Sequence, residues 1–427
     1  MLPQAQLWQG FQVLFTLLFF ALIIIYPRYL FYRMVADMEE VAETLEGYAN
    51  EAVDIITRVC LEKGGIRAGI KERVQKTLDF FLIPPVDLDP YGILKKLEHL
   101  FDKAEDRFHL VAREISPGCD PVWRANIISL LKGGVGINTM AKVVRHYVEL
   151  VKKTNNIQLA MLFQMNLPII KKIAEAHMAG IKAISRGEPI GDSVGPLVAA
   201  RLMKGNAEEI ARDVVYSEEE IKGRRVLVVK ARGPGATLGK LGDAVKKLVE
   251  TNDVSKIITV DASLKMEGEP TGKVSEGIGA AIGDPGPEKA KIEEAAVEKN
   301  IPLEAIAIKM SIEEAISPMI KEIYDAVPEA IRRIEESISS SPEDRKIIVV
   351  GVGNTCGIGN SVSEVEEVAY KEKEKEEEEL PAIDRLVKKL VERQKRAEKR
   401  AREREAEMKR RAKERAKVKA RAKARAK

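Results

Sequence analysis

The sequence predicts an α/β protein in four successive parts. These are an N-terminal transmembrane helix (1–34), an all-helical domain (35–186), a three-layer α/β/α domain with a mainly parallel sheet (187–365), and a charged linker and basic tail, helical or disordered (366–427). Three observations predict this. A stretch of about twenty residues near the start carries no charge, enough for a helix to cross a bilayer. Short β-branched runs alternate with helical stretches only after Gly187, the pattern of a parallel sheet covered on both faces. From Arg393 onward basic residues exceed acidic ones by about thirteen, in a chain of net charge +4, so the remainder is mildly acidic.

The uncharged run is Leu7 to Tyr26, LWQGFQVLFTLLFFALIIIY. A cleaved signal peptide has a basic leading region and a shorter core that ends in small residues. Here no Lys or Arg precedes the run, Pro27, Arg28 and Arg33 follow it, and Trp8, Tyr26, Tyr29 and Tyr32 flank it. The positive flank places the C-terminal bulk in the cytoplasm and makes this a single-pass protein of the cell membrane. A buried core helix or an uncleaved signal has a similar composition and stays open as an alternative.

From Val35 to about Arg186 apolar residues recur at three- and four-residue spacing, as in MEEVAETLEGYANEAVDIITRVCLEK and MAKVVRHYVELVKK. Gly64-Gly65, Pro84-Pro85, Pro117-Gly118 and Gly133-Gly134 divide the region. His99, His109, His146 and His177 fall here without HExxH spacing and read as ordinary helix residues. Cys60, Cys119 and Cys356 are far apart, odd in number and without CxxC, which argues against a disulfide framework or zinc site. No chemistry is evident in this half.

After Gly187 the runs RRVLVVKA (224–231), SKIITVDA (255–262), LEAIAIKM (303–310) and RKIIVVGVGN (345–354) read as strands, with helical stretches between them. Ligands of open α/β sheets bind beyond the carboxyl ends of the strands. Those ends carry Gly233 and Gly235, Asp261, Lys309, and Gly351, Gly353 and Asn354. The tail, rich in Ala, Arg and Lys with almost no apolar face, reads as a solvated extension. Its charge density suits a ribosome, RNA or anionic lipid partner for residues 393–427.

The glycines of VVGVGNTCGIGN (349–360) suggest a dinucleotide loop, but Cys356 stands where the third glycine belongs and no second strand follows. No GK[ST] follows either, so a P-loop fails as well. Another likeness covers more of the chain. GEPIGDSVGPLVAARLMKG (187–205) resembles the D-x-x-G-P-x-V-x-x-x-L segment of the spore germination proteases and the acidic DGVG segment of hydrogenase maturation proteases. VLVVKARGPGATLGKLGDAVKKLVETNDVSKIITVDASLK (226–265) and GIGAAIGDPGPEKAKIEEAAVEKNIPLEAIAIKMSIEEAI (277–316) are similar to the next two parts of the germination protease. Those families open with a strand ending in GxGN; here that piece, VVGVGN, comes last, as in a circular permutation. The chain as a whole also resembles an archaeal, membrane-anchored family whose function is not established.

The resemblance implies that Asp192 and Asp261 are the two catalytic carboxylates of the germination protease, or two metal ligands of the maturation protease. The residues alone point to the same pair less sharply. Asp261 ends a buried strand at the crevice, and Asp192 precedes a helix it could cap. Two close carboxylates share a proton, as water-mediated amide hydrolysis requires. The structural alternative is a helix cap at Asp192 and loop hydrogen bonding at Asp261. Gly191, Gly233, Gly235, Lys309, Gly351, Gly353 and Asn354 are expected to line the cleft. The maturation protease uses a later His as a third ligand, and none follows His177, so nickel does not carry over. No cofactor is expected, although Asp192 and Asp261 could hold a divalent metal. The expected activity is a cytoplasm-facing, membrane-anchored, peptidase-like hydrolase acting on a protein substrate. The alternative is a non-enzymatic tether that engages a polyanion through its tail.

Overall fold

A computed structural model describes residues 4–65, 68–85, 92–283 and 286–372; the tail at 393–427 lies outside the described residues. Helix α1 (Gln4–Glu62) has two characters along one axis. Trp8, Phe11, Phe15, Phe19 and Ile23 are exposed, as in a helix whose solvent is lipid. From Met34 the buried positions become Met38, Ala42, Leu45, Ala49, Ala52 and Ile56, a single stripe that packs on the helical domain. The first part is long and apolar enough to cross a membrane.

The stripe is covered by α2 (Ile70–Leu78), α3 (Ile93–Ile115), α4 (Pro121–Thr154) and α5 (Ile157–Ile184). Helix α4 passes the same test of length and composition as α1, but 44% of its apolar window is buried inside the bundle. It starts where Asp120 accepts the Trp123 N–H at 3.0 Å with Pro121 in the first turn. It runs antiparallel to α1, with Arg145 paired to Glu46 at 2.6 Å and Lys152 paired to Glu39.

The second half contains α6 (Val194–Leu202), β1 (Glu208–Ala211), β2 (Val214–Ile221), β3 (Arg224–Ala231), α7 (Leu241–Thr251), β4 (Val254–Leu264), β5 (Val274–Ile278) and α8 (Pro287–Glu298). It continues through β6 (Leu303–Met310), α9 (Ile312–Ile316), α10 (Lys321–Tyr324), α11 (Val327–Ser339) and β7 (Lys346–Gly351). The strand order is β1-β2-β3-β7-β4-β6-β5. The last strand among the described residues, β7, thus sits centrally, parallel to both β3 and β4.

The sheet is mixed, which corrects the expectation of a mainly parallel one. Only β3, β7, β4 and β6 form the parallel centre; β1, β2 and β5 pair antiparallel at the edges. The cause is local. Lys222 (φ 52°) and Gly223 (φ 71°) make a two-residue turn with both φ positive, and such a hairpin can only return the chain antiparallel. Glu219 on the buried face of β2, between the exposed Glu218 and Glu220, obscures the alternation in the sequence; its Oε1 accepts the N–H groups of Lys204 and Gly205.

Side-chain alternation splits the core into two layers. Val226, Val228, Ile258, Ile347 and Val349 meet α6 and α11. Leu227, Val229, Ile257, Ile348 and Val350 meet α7 and α8. The helical domain docks on the loops beyond the strand ends, where Ala236 and Cys356 join its core and Ala236 N–H donates to Asn126 Oδ1 at 2.8 Å. The packed chain continues past Val365, with Val368 buried and Tyr370 stacked on Tyr324.

Candidate active site

Residue Asp192 lies in a short 3-10 turn, Gly191–Ser193, that leads into α6. The chain there is pressed onto the ends of β7 and β4. A Cβ on Gly195 would stand 2.1 Å from the Val352 carbonyl oxygen and 2.5 Å from that of Val260, so only glycine allows the approach. Gly353 does the same from the other side. It adopts φ +132°, and a Cβ on it would lie 2.0 Å from the Asp192 carbonyl oxygen. The next N–H, of Asn354, donates to Asp192 Oδ2 at 2.8 Å across 162 residues of sequence. Among the described residues the Asp192 carboxylate accepts from this loop and not from the first turn of α6, so it is no helix cap.

One strand away, Asp261 is 3% exposed, and its Oδ1 accepts the Ala262 N–H at 2.7 Å. Both carboxylates line one cavity of about 450 Å³ with walls that include Leu241, Ile282, Met310, Ile312 and Val352. Burial pushes Asp261 up to about 8, reinforced by the Asp192 charge and opposed by the N–H groups of Ala262 and Gly283. Burial also raises Asp192, against the Asn354 N–H, although part of its side chain faces the cavity. The pair is therefore set to hold a proton at neutral pH. The N-terminal end of α8 opens on the same cavity, which favours negative charge there, whereas that of α7 is already met by Glu288, whose Oε2 accepts the Gly242 N–H at 2.7 Å.

The other sequence-predicted residues separate into groups. Gly353 lines the cavity, and Asn354 adjoins it. Gly191 and Gly351 stand behind it; a Cβ on either would meet a backbone oxygen, of Glu314 at 2.1 Å or Gly195 at 2.5 Å. Gly233 and Gly235 are elsewhere, the first against Ile358 and the second against Val122 and Ala125 of α4. Lys309 turns to Ser263 Oγ (3.2 Å) and the Leu264 carbonyl oxygen (3.3 Å), outside the cavity lining. The Cys356 thiol is fully buried and pushed up to about 12, which suits packing and not nucleophilic attack.

The carboxylates of Glu98, Asp243 and Glu288 also converge, within 4.8 Å of one another. The Lys291 ammonium occupies their centre, at 2.5 Å from Glu98, 2.6 Å from Asp243 and 3.2 Å from Glu288. This cluster joins the helical domain to α7 and α8. Among the described residues no His or Cys lines the cavity beside Asp192 and Asp261, so the donors present do not fit a nickel site.

Sequence reasoning missed the contribution of the helical half. Glu98 and Phe101 of α3 form one wall of the cavity, and nothing in a helical period marks them.

Comparison with known families follows the same division. Residues 12–187 match the N-terminal domain of the protein family of unknown function DUF1512, and residues 190–359 match its C-terminal domain. The chain belongs to the DUF1512 family. No curated protein and no solved structure matches it. The two DUF1512 domains meet at residues 187–190, where the helical half ends. Asp192, Asp261 and Asn354 lie in the C-terminal domain and Glu98 and Phe101 in the N-terminal one, so the cavity of this DUF1512 protein is built from both.

Proposed function

We propose that the protein is a membrane-anchored hydrolase that cleaves an amide bond of a protein substrate with the Asp192–Asp261 pair. The observation that carries this reading is that a buried and a half-buried carboxylate, both raised by burial, line one largely apolar cavity. The order of the germination-protease-like segments in residues 187–360 supports the same pair. In the reaction, the ionised member of the pair takes a proton from water as the water oxygen bonds to the carbonyl carbon. The protonated member gives its proton to the leaving nitrogen as the C–N bond breaks. The α8 N-terminus favours the negative charge that develops on the carbonyl oxygen. The anchor is the first part of α1, and the Arg28 and Arg33 flank supports a cytoplasmic position for the rest.

The test uses the full chain in detergent and a peptide library prepared from cell lysate, with new termini mapped by mass spectrometry. The wild type is expected to generate termini that Asp192→Asn and Asp261→Asn each reduce by at least about a thousand-fold. Cleavage that persists in either variant, or no new termini with the wild type, would overturn the reading and leave the tether. A chelator arm separates a metal requirement, since the two-carboxylate reaction should survive EDTA.

A further inference from the structure

We infer that the cavity continues into a subsite, built mainly by the helical half around Arg124 and Arg113, that binds a carboxylate of the bound peptide. The peptide as ligand class rests on the hydrolase reading; the anion preference rests on the residues below.

A second cavity of about 350 Å³ shares Phe101, Leu238, Gly239 and Lys240 with the first. It lies between α3, the start of α4 and the loop that follows β3. Most cations in its wall are already matched. Glu105 pairs with Lys132 and His109, Asp106 with Arg212, Glu209 and Asp213 with Arg232, and Asp102 and Glu288 with Lys240. Arg113 and Arg124 have no carboxylate partner among the described residues. Arg113 is exposed, whereas Arg124 is half-buried, its Nη2 donating to the Cys119 carbonyl oxygen at 2.8 Å. The Nε of Arg124 is buried against protein with no acceptor among the described residues and does not face the cavity, so a ligand there meets the Nη end of the group.

Asn354 ties this subsite to the chemistry. Its backbone N–H holds Asp192, its Oδ1 accepts the Cys356 N–H at 2.9 Å, and its amide NH₂ has no protein partner among the described residues. The residue itself lines the second cavity. The Arg113 guanidinium, the remaining Nη donors of Arg124 and the Asn354 amide, none with a carboxylate partner among the described residues, therefore adjoin an apolar chamber that carries the carboxylate pair. A planar monoanion matches the guanidinium fork. A phosphate dianion would add repulsion from Asp102, Glu105 and Asp213 in the same wall.

The experiment measures binding, so it does not depend on turnover. Full-length Asp192→Asn protein in detergent is titrated with three fluorescein-labelled apolar peptides: a free C-terminal acid, its C-terminal amide, and the amide with one internal Glu. At least one carboxylate peptide is expected to bind about ten-fold or more tighter than the plain amide, with the difference shrinking as salt rises. Whether the acid or the Glu peptide gains tells terminal from side-chain carboxylate. Arg124→Gln should abolish the gain without weakening the amide. Arg113→Gln, at an exposed position where substitution costs little stability, should reduce the gain a few-fold. Equal binding of all three peptides, no binding, or an undiminished gain in both Arg variants overturns the inference. So does a phosphoserine peptide that binds better than either carboxylate. Carboxylate-selective binding without cleavage by wild type would overturn the hydrolase reading and leave the subsite standing.

Discussion

Lys230 and Asp261 flank the end of the same strand, since Gly351 of β7 pairs with Lys230 on one side and Val260 on the other. Both are buried, at 0% and 3% exposure, and burial displaces both from their ordinary ionisation, Lys230 down to about 7 and Asp261 up to about 8. Their surroundings differ. The Lys230 ammonium donates to the Ala231 carbonyl oxygen (2.8 Å) and to Asn360 Oδ1 (3.0 Å) and is closed to solvent. Asn360 in turn holds Gly233 through both its N–H and its carbonyl. Asp261 opens on a cavity that it shares with a second carboxylate. A displaced pKa alone therefore records burial; it points to chemistry where a cavity and a second titratable group accompany it.

The most severe way to break the open site while sparing the closed one is Gly353→Ala. The new methyl would stand 2.0 Å from the Asp192 carbonyl oxygen at a φ of +132°, and backbone cannot yield there cheaply. A loss on the order of 3–5 kcal/mol is expected in urea unfolding of the detergent-solubilised chain. Stability within about 1 kcal/mol of wild type would mean that the loop does not press on Asp192 as described.

Next in size are two pH dependences of opposite sign. Between the ordinary 3.8 and about 8 the folded chain keeps a proton at Asp261 that the unfolded chain has released, so stability falls as pH rises through that window. Between about 7 and the ordinary 10.5 the folded chain has released a proton at Lys230 that the unfolded chain keeps, so stability rises with pH there. Asp261→Asn should remove the fall, stabilising the chain by on the order of a few kcal/mol near pH 9 and little near pH 4. Lys230→Met should remove the rise, with its largest gain near about pH 6, and leave hydrolysis intact. Loss of activity in Lys230→Met with folding preserved would place the lysine in the chemistry and dissolve the contrast.

How much of this was legible in the sequence follows from the range of the forces involved. The stripe from Met34 to Ile56 and the apolar runs of β3, β4, β6 and β7 announce themselves because burial repeats with the local period. Asp261 was legible as a carboxylate on a buried strand, although β4 runs on to Leu264 and it is β7 that ends beside it; Asp192 was legible through the motif resemblance. The β2–β3 hairpin was not, although the Lys222-Gly223 step between the two strands carried a turn signal; the glutamates of β2, Glu219 on its buried face among them, hid the alternation. Lys230 reads like any strand residue, and its burial is decided by Asn360, 130 residues away. The wall from α3 is equally invisible, because the ion pairs that place it join distant residues, such as Glu98 with Lys291.

That wall gives the smallest effect. Asp102 of α3 pairs with Lys240 at 2.6 Å, both partly exposed, and links the helical half to the loop before α7. Breaking a partly solvated pair costs less than about 1 kcal/mol, so Asp102→Asn should leave global stability nearly unchanged. Its consequence should be confined to the open site, since α3 lines the cavity and makes no part of the Lys230 environment. On the hydrolase reading, KM is expected to rise about two- to five-fold with kcat preserved, because the wall holds substrate and the carboxylates keep their own hydrogen bonds. The Lys230 pH window should not move. A fall in kcat comparable to that of Asp261→Asn would mean that α3 reaches the reacting atoms, and the helical half would then belong to the chemistry as well as to binding.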